Sequence, residues 1–308
     1  MSFLVELPEY AYDAHAFEDF IIDSKFRIGT ARAMMWMSQL AYEVRGAHEK
    51  VEPVLGKWRL CPIALVANET TAVQRTSTRG LIAGGHGVTI VAFAGTDPLA
   101  FANWITNFNL GSRTKELHQG FEAAVASVWD QVIGALENRP QADLPLFIVG
   151  HSLGGALAVI AAERLVREAR VDVTGVYTFG MPRAANSDFV DAYNRSGLGN
   201  VTYRLVHGLD IVPTVPPPFL GFRHVGRMLA CERGERFSSE APLSSIDSND
   251  PPFVATLKSG YIQRLRDVMT WNFLPSYRPG WLGTLQRLLS PPFGDHLPDR
   301  YRHALEGD

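Results

Sequence analysis

The order of apolar segments in this 308-residue chain predicts an α/β fold, with a mainly parallel central sheet and helices on both faces. Three observations carry that expectation. Residues 88–94 (VTIVAFA) form a continuous apolar run, as a strand buried on both faces does. From residue 118 onward, strand and helix patterns alternate. Residues 150–155 turn the short apolar strand 145–149 (PLFIV) directly into an alanine-rich helix, ALAVIAAERLVREA.

The elements follow in order. Residues 31–45 carry apolar side chains at helical spacing behind Thr30, an N-cap residue type. Residues 60–67 and 76–83 read as strands, and 84–87 (GGHG) is a hairpin turn leading into 88–94. A helix over 118–136 precedes strand 145–149. Strand 173–179, helix 186–195 and strand 201–207 come next, and a short strand surrounds His224. The organised core is expected to span about 60–226, within a single domain covering 1–308. Residues 232–260 are polar and proline-bearing and read as a long surface loop. Residues 261–293 are rich in large apolar side chains, and a last helix spans about 296–306.

Composition removes several classes of function. Net charge is −3 with no basic block, which argues against a nucleic-acid footprint or a polybasic membrane patch. No apolar run reaches membrane-spanning length, so no transmembrane anchor is expected. Cys61 and Cys231 can form one bridge at most, which is no disulfide framework. The start, MSFLVELPEYAYD, lacks the n-region, h-region and cleavage site of a secretory signal. The expected location is therefore the cytoplasm, or outside the cell by a route without a visible signal.

The segment Gly150-His151-Ser152-Leu153-Gly154 has the G-x-S-x-G pattern. Its physics is a sharp strand-to-helix turn: the serine backbone is strained, and the flanking glycines let strand and helix approach. The turn presents Ser152 Oγ at the sheet edge, beside free N–H groups of a helix N-terminus. The plainer reading is a tight turn whose serine only caps the helix. A serine nucleophile also needs a base and a carboxylate, which in the α/β-hydrolase order are Asp or Glu and then His. Asp210 lies just past strand 201–207, on the edge that carries the turn, while Glu163, Asp188 and Asp191 fall on predicted helices and suit solvated faces. Three histidines follow Asp210. His296 precedes the last helix on a loop and fits a general base best. His303 reads as a helix-surface residue and His224 as a structural hydrogen-bonder.

These residues stand within a wider set of motifs. Val91-Ala92-Phe93-Ala94-Gly95-Thr96 is followed by Asn103-Trp104, His118-Gln119-Gly120-Phe121 and the Ser152 turn. Thr178-Phe179-Gly180-Met181-Pro182-Arg183 with Asn186, then Asp210-Ile211-Val212-Pro213, His224-Val225-Gly226 and Asp295-His296, complete the series. Over about 30–306 the chain resembles the class 3, fungal-type lipases of the α/β-hydrolase superfamily. The resemblance implies a triad of Ser152, Asp210 and His296. It implies an oxyanion hole of Thr96, through its N–H and hydroxyl, and the N–H of Leu153. The chain departs from the family at Ala94, where arginine is frequent. The family's lid position, here Asp97 to Phe108, is short and apolar. The stretch 227–294 matches no family motif.

The expected activity is hydrolysis of carboxylic esters of acylglycerol type through an acyl-enzyme on Ser152, without metal or organic cofactor. A phospholipase A1, or a soluble short-chain or aryl esterase, would carry the same triad. A non-catalytic binding protein on this fold, or a toxin-like membrane effector, are the readings from other classes. Phe101, Trp104, Trp271, Phe273 and Trp281, with His151 beside the nucleophile, are the expected substrate contacts. The stretch 261–293 would then wall or cover the acyl site and touch a lipid interface transiently.

Overall fold

The computed structural model describes residues 5–44, 48–68, 78–96, 114–139, 141–246, 253–270, 280, 284 and 289–306. The strands are β1 (Cys61–Asn68), β2 (Thr78–Gly85), β3 (Val88–Phe93), β4 (Leu146–His151), β5 (Gly175–Phe179), β6 (Ala185–Asn186), β7 (Thr202–His207), β8 (Phe222–Arg223) and β9 (Arg227–Cys231). The α-helices are α1 (Ile28–Ala41), α2 (Val51–Lys57), α3 (Thr114–Ala126), α4 (Trp129–Glu137), α5 (Leu153–Arg164), α6 (Ser187–Arg195), α7 (Phe253–Thr270), α8 (Pro291–Gly294) and α9 (Pro298–Ala304).

Among the described residues the main sheet has seven strands in the order β1-β2-β3-β4-β5-β7-β9. The first three pair antiparallel, as the GGHG turn requires. From β3 onward every pairing is parallel, with Val91 opposite Ile148 and Val149 opposite Tyr177. This is the mainly parallel α/β-hydrolase sheet.

Side chains alternate across it with period two, and the two faces build two cores. Ile90, Ala92, Phe147, Val149, Tyr177 and Phe179 pack with α1 and α9. Val91, Phe93, Ile148 and Val176 pack with α4 and α5. The crossover helices thus cover one face, and the terminal segments cover the other. Placing the organised core at 60–226 therefore falls short: α1, with Met34, Met35, Met37 and Leu40 wholly buried, is as central as any strand. At about 1.5–3 kcal/mol per large side chain, this burial holds the N-terminal segment on the sheet.

Several element boundaries differ from expectation. Thr30 lies inside α1, whose N-cap is Arg27, and its hydroxyl donates to the Ile21 carbonyl at 2.8 Å. The helix expected over 118–136 is two, α3 and α4, broken where the Ser127 hydroxyl bonds the Ala124 carbonyl. The supposed loop 232–260 includes the start of α7, and β9 adds an edge strand that the sequence reading lacked. Cys61 and Cys231 are free and lie on the two opposite edge strands, so they do not bridge. Among the described residues no helix is long and apolar enough to cross a membrane. Phe101, Trp104, Trp271, Phe273 and Trp281, and the expected lid stretch 97–108, lie outside the described residues.

Candidate active site

The turn after β4 explains its own sequence. Ser152 has φ +58° and ψ −129°, a conformation rarely adopted by non-glycine residues and costing on the order of 1–3 kcal/mol. Its N–H donates to the Phe179 carbonyl at 2.8 Å, so β5 holds the turn. A Cβ on Gly150 would sit 2.1 Å from the Gly154 carbonyl group, and one on Gly154 would sit 2.3 Å from the Phe93 oxygen. Both glycines are therefore fixed by close approach: α5 begins against β4 and against the end of β3.

Asp210 lies on the loop leaving β7, and His296 on the loop between α8 and α9. His296 Nδ1 is 2.9 Å from Asp210 Oδ2, and its Nε2 is 2.9 Å from Ser152 Oγ. Nδ1–H donates to the carboxylate, so Nε2 is free to accept the serine hydroxyl. Asp210 is also held on its other sides. Oδ1 accepts the Val212 N–H at 2.8 Å, and Oδ2 also accepts the Tyr301 hydroxyl at 2.6 Å. All three side chains are buried, with Ser152 at 1%, Asp210 at 3% and His296 at 4% exposure. Gly180, at φ +57°, makes the space, since a Cβ there would lie 2.5 Å from Asp210 Oδ2 and 2.9 Å from His296 Nδ1.

A second ring of contacts supports this chain. His151 stacks on His296 with centroids 4.7 Å apart. Its Nε2–H donates to the His296 carbonyl at 2.8 Å, so its Nδ1 accepts from the Tyr42 hydroxyl at 2.7 Å. Burial, and then the neighbouring His296, hold the His151 pKa well below the usual histidine range, which keeps it neutral in this tautomer. His151 was expected to contact substrate; at 1% exposure with both ring nitrogens engaged, it sits as a support for the His296 loop. Asp295 ties the two loops together: its Oδ2 accepts the Leu209 N–H at 2.9 Å, and its Oδ1 is 3.3 Å from Arg233 Nε.

Other predicted residues fall as follows. Thr96 is half-buried, and follows Gly95, where a Cβ would meet the His151 carbonyl oxygen at 2.7 Å. The strand-end loop thus runs against the serine turn. Leu153 opens α5, next to Ser152. His224 is turned away, with Nε2–H donating to the Pro213 carbonyl at 2.8 Å. His303 pairs with Glu306 at the surface. Glu163 pairs with Arg167, and Asp188 and Asp191 are exposed on α6. A cavity of about 180 Å³ opens beside Asp210, lined by Leu209, Pro213, Thr214, Ala255 and Thr256.

Tyr301, Tyr42 and Arg233 escaped the sequence reading. Tyr301 had a weak signal, an aromatic on the inward face of a helix immediately after His296. Tyr42 and Arg233 had none, because their partners are remote in sequence.

Chemically, a strained serine with a histidine on its hydroxyl and a carboxylate behind the histidine can transfer an acyl group. Residues 90–220 match the family model of the class 3 lipases. A secreted mono- and diacylglycerol lipase of Fusarium solani is 37% identical over 131 residues, which are 40% of this chain and 38% of that protein. The chain thus spans under two-fifths of that relative. The lipase of Rhizopus microsporus var. chinensis superposes with a TM-score of 0.54 at 22% identity, over 74% of this chain and 81% of that one. A triacylglycerol lipase described as having a serine protease triad as its catalytic centre superposes with a TM-score of 0.53 at 23% identity, over 73% and 94%. At these identities the two structures show a shared fold.

Proposed function

Because residues 90–220 match the family model of the class 3 lipases, we propose that this protein is a serine carboxylic ester hydrolase acting on acylglycerols. The observation that carries the reading is the unbroken hydrogen-bond chain from Asp210 through His296 to Ser152 at a strained strand-to-helix turn.

Ser152 Oγ attacks the ester carbonyl carbon as His296 Nε2 takes its proton, and the carbonyl π pair moves onto oxygen. The N–H groups of Thr96 and Leu153 stabilise that oxyanion, each on the order of 3–4 kcal/mol in comparable sites. Asp210 holds the imidazole tautomer and stabilises the imidazolium. The oxyanion then collapses, the carbon–alkoxy bond breaks, and His296 protonates the departing alcohol. Water repeats the sequence on the acyl-serine, losing its proton to His296 and releasing the acid. No metal or organic cofactor enters. The secreted Fusarium relative supports action on lipid outside the producing cell.

A ladder of p-nitrophenyl esters from acetate to palmitate, alongside emulsified mono-, di- and triacylglycerols, tests the proposal. Turnover that rises on emulsified acylglycerol and is abolished in Ser152→Ala is the expected result. Turnover confined to acetate and butyrate, with none on any emulsion, would overturn the acylglycerol assignment. No turnover on any ester would overturn the enzyme itself.

A further inference from the structure

The helix α7 is amphipathic in the reverse sense. Its body-facing stripe is small or polar: Thr256 and Asp267 are buried, Gly260 is buried, and Gln263 and Arg264 are half-buried. Its large apolar side chains are on the exposed side. Leu257, Tyr261, Ile262, Leu265, Val268 and Met269 are all open to solvent, Met269 at 85% and Tyr261 at 67%. At 100° per residue these six fill an arc of about 140°, centred on nearly the opposite side from the buried stripe.

Charge on the helix has one sign outside. Lys258 and Arg266 are exposed, and Arg264 borders the apolar arc. The acid of α7, Asp267, is 2% exposed and paired to Arg233 at 3.2 Å. An apolar arc with cations within and beside it is the pattern of a helix lying in the headgroup region of an anionic bilayer, its basic side chains reaching to phosphates.

The helix is also fastened to the reacting groups. A Cβ on Gly260 would lie 2.2 Å from Pro292 Cγ, so α7 packs directly on α8, two residues before His296. Arg233 bridges Asp267 of α7 to Asp295, the neighbour of His296. Whatever surface α7 touches is thereby held beside the catalytic loop.

We propose that α7 docks the enzyme on anionic phospholipid surfaces through Leu257, Tyr261, Leu265, Val268 and Met269, with Lys258 and Arg266 meeting the headgroups. This rests on the acylglycerol hydrolase reading only for its purpose, since docking itself is a binding event. The helix brings the site to its substrate; the acyl group is cleaved elsewhere.

The test is vesicle co-sedimentation of the full chain carrying Ser152→Ala, which removes turnover from the readout. Vesicles of phosphatidylcholine mixed with phosphatidylglycerol are compared with pure phosphatidylcholine. The protein should pellet with the mixed vesicles. Leu265→Ser with Met269→Ser should cut the bound fraction about tenfold or more. Lys258→Glu with Arg266→Glu should cut it similarly on mixed vesicles and little on neutral ones. In the Ser152 background, both double variants should keep p-nitrophenyl acetate turnover and melting temperature, which excludes misfolding. Binding that is absent, or equal in all variants, overturns the proposal. So does a dimer in sedimentation velocity that Leu265→Ser with Met269→Ser dissolves, because a second copy then covers the face. Vesicle binding without any esterase activity would leave the docking helix standing and overturn the hydrolase reading.

Discussion

At Ser152 the chain carries a positive φ that the surrounding structure must hold in place, and the hydroxyl it presents already meets His296 Nε2 at 2.9 Å. Removing that hydroxyl should leave the fold intact and reduce kcat by about four orders of magnitude or more. Retention of even a tenth of wild-type turnover on a soluble ester would disprove the mechanism. His296→Ala should be as severe, because the members of such a chain act as a unit, whereas His224→Ala loses a bond to the Pro213 carbonyl and should leave kcat nearly unchanged. Thr96→Val keeps its N–H and its shape but not its hydroxyl. It should lower kcat about ten- to a thousandfold with little effect on KM, and an unchanged kcat would remove the hydroxyl from the oxyanion hole. Of these residues the sequence displayed the serine plainly, since its chemistry is written in five contiguous positions. It displayed His296 less plainly, because three histidines follow Asp210 and only their loops or helices distinguish them.

Elements meet at this site through unusually close backbone approaches. The Cβ of Gly154→Ala would lie 2.3 Å from the Phe93 oxygen, a backbone atom that cannot swing aside. α5 would have to lift from β3, and such overpacking costs about 1–3 kcal/mol. Thermal melting should show a drop of several degrees, and a melting temperature equal to wild type would mean that α5 yields freely. The loops at the same edge also set an acid dependence. Burial, and then Arg300, lower the His207 pKa to about 4, so its stabilising contribution is full above its ordinary value of 6.5 and is lost as pH falls toward 4. Burial raises the Asp295 pKa to about 6 despite Arg233, so its contribution is full below its ordinary value of 3.8 and is lost as pH rises through 6. Each effect is on the order of 3 kcal/mol, and between pH 4 and 6 they oppose. His207→Gln removes the acid-side loss alone. Relative to wild type it should gain stability, by up to about 3 kcal/mol, as pH is lowered from 7 to 4. A stability difference that does not vary with pH would show that His207 does not titrate as its burial dictates.

Across the whole molecule, the sheet separates two apolar cores, and α1 and α9 close one of them. Tyr301 on α9 and Met34, Met35 and Met37 on α1 belong to one buried cluster with Tyr177 and Phe179. The C-terminal helix that closes this core is also the one whose Tyr301 reaches Asp210. Cys61 and Cys231 sit on opposite edges of the sheet, six strand spacings apart, or roughly 29 Å at about 4.8 Å per step. A reducing agent should therefore leave the melting temperature unchanged, and a fall on reduction would contradict the strand order.

The sequence by itself determined the parallel sheet, the hairpin that precedes it, the serine turn and the strand-end position of Asp210. Each is encoded in neighbouring residues, where periodicity, glycine placement and chain order act through local backbone sterics. Only the tertiary structure decided which histidine faces Ser152, 144 residues away, and that His151 braces that histidine. It also decided that α1 covers the second face, and that α7 turns its apolar side outward. The physical reason is common to these four. An apolar or aromatic pattern says that a surface seeks cover, but the cover is chosen by chain segments far off in sequence. The pattern on α7 reads as an ordinary core helix until its small and polar stripe is seen fastened to Pro292 and Arg233.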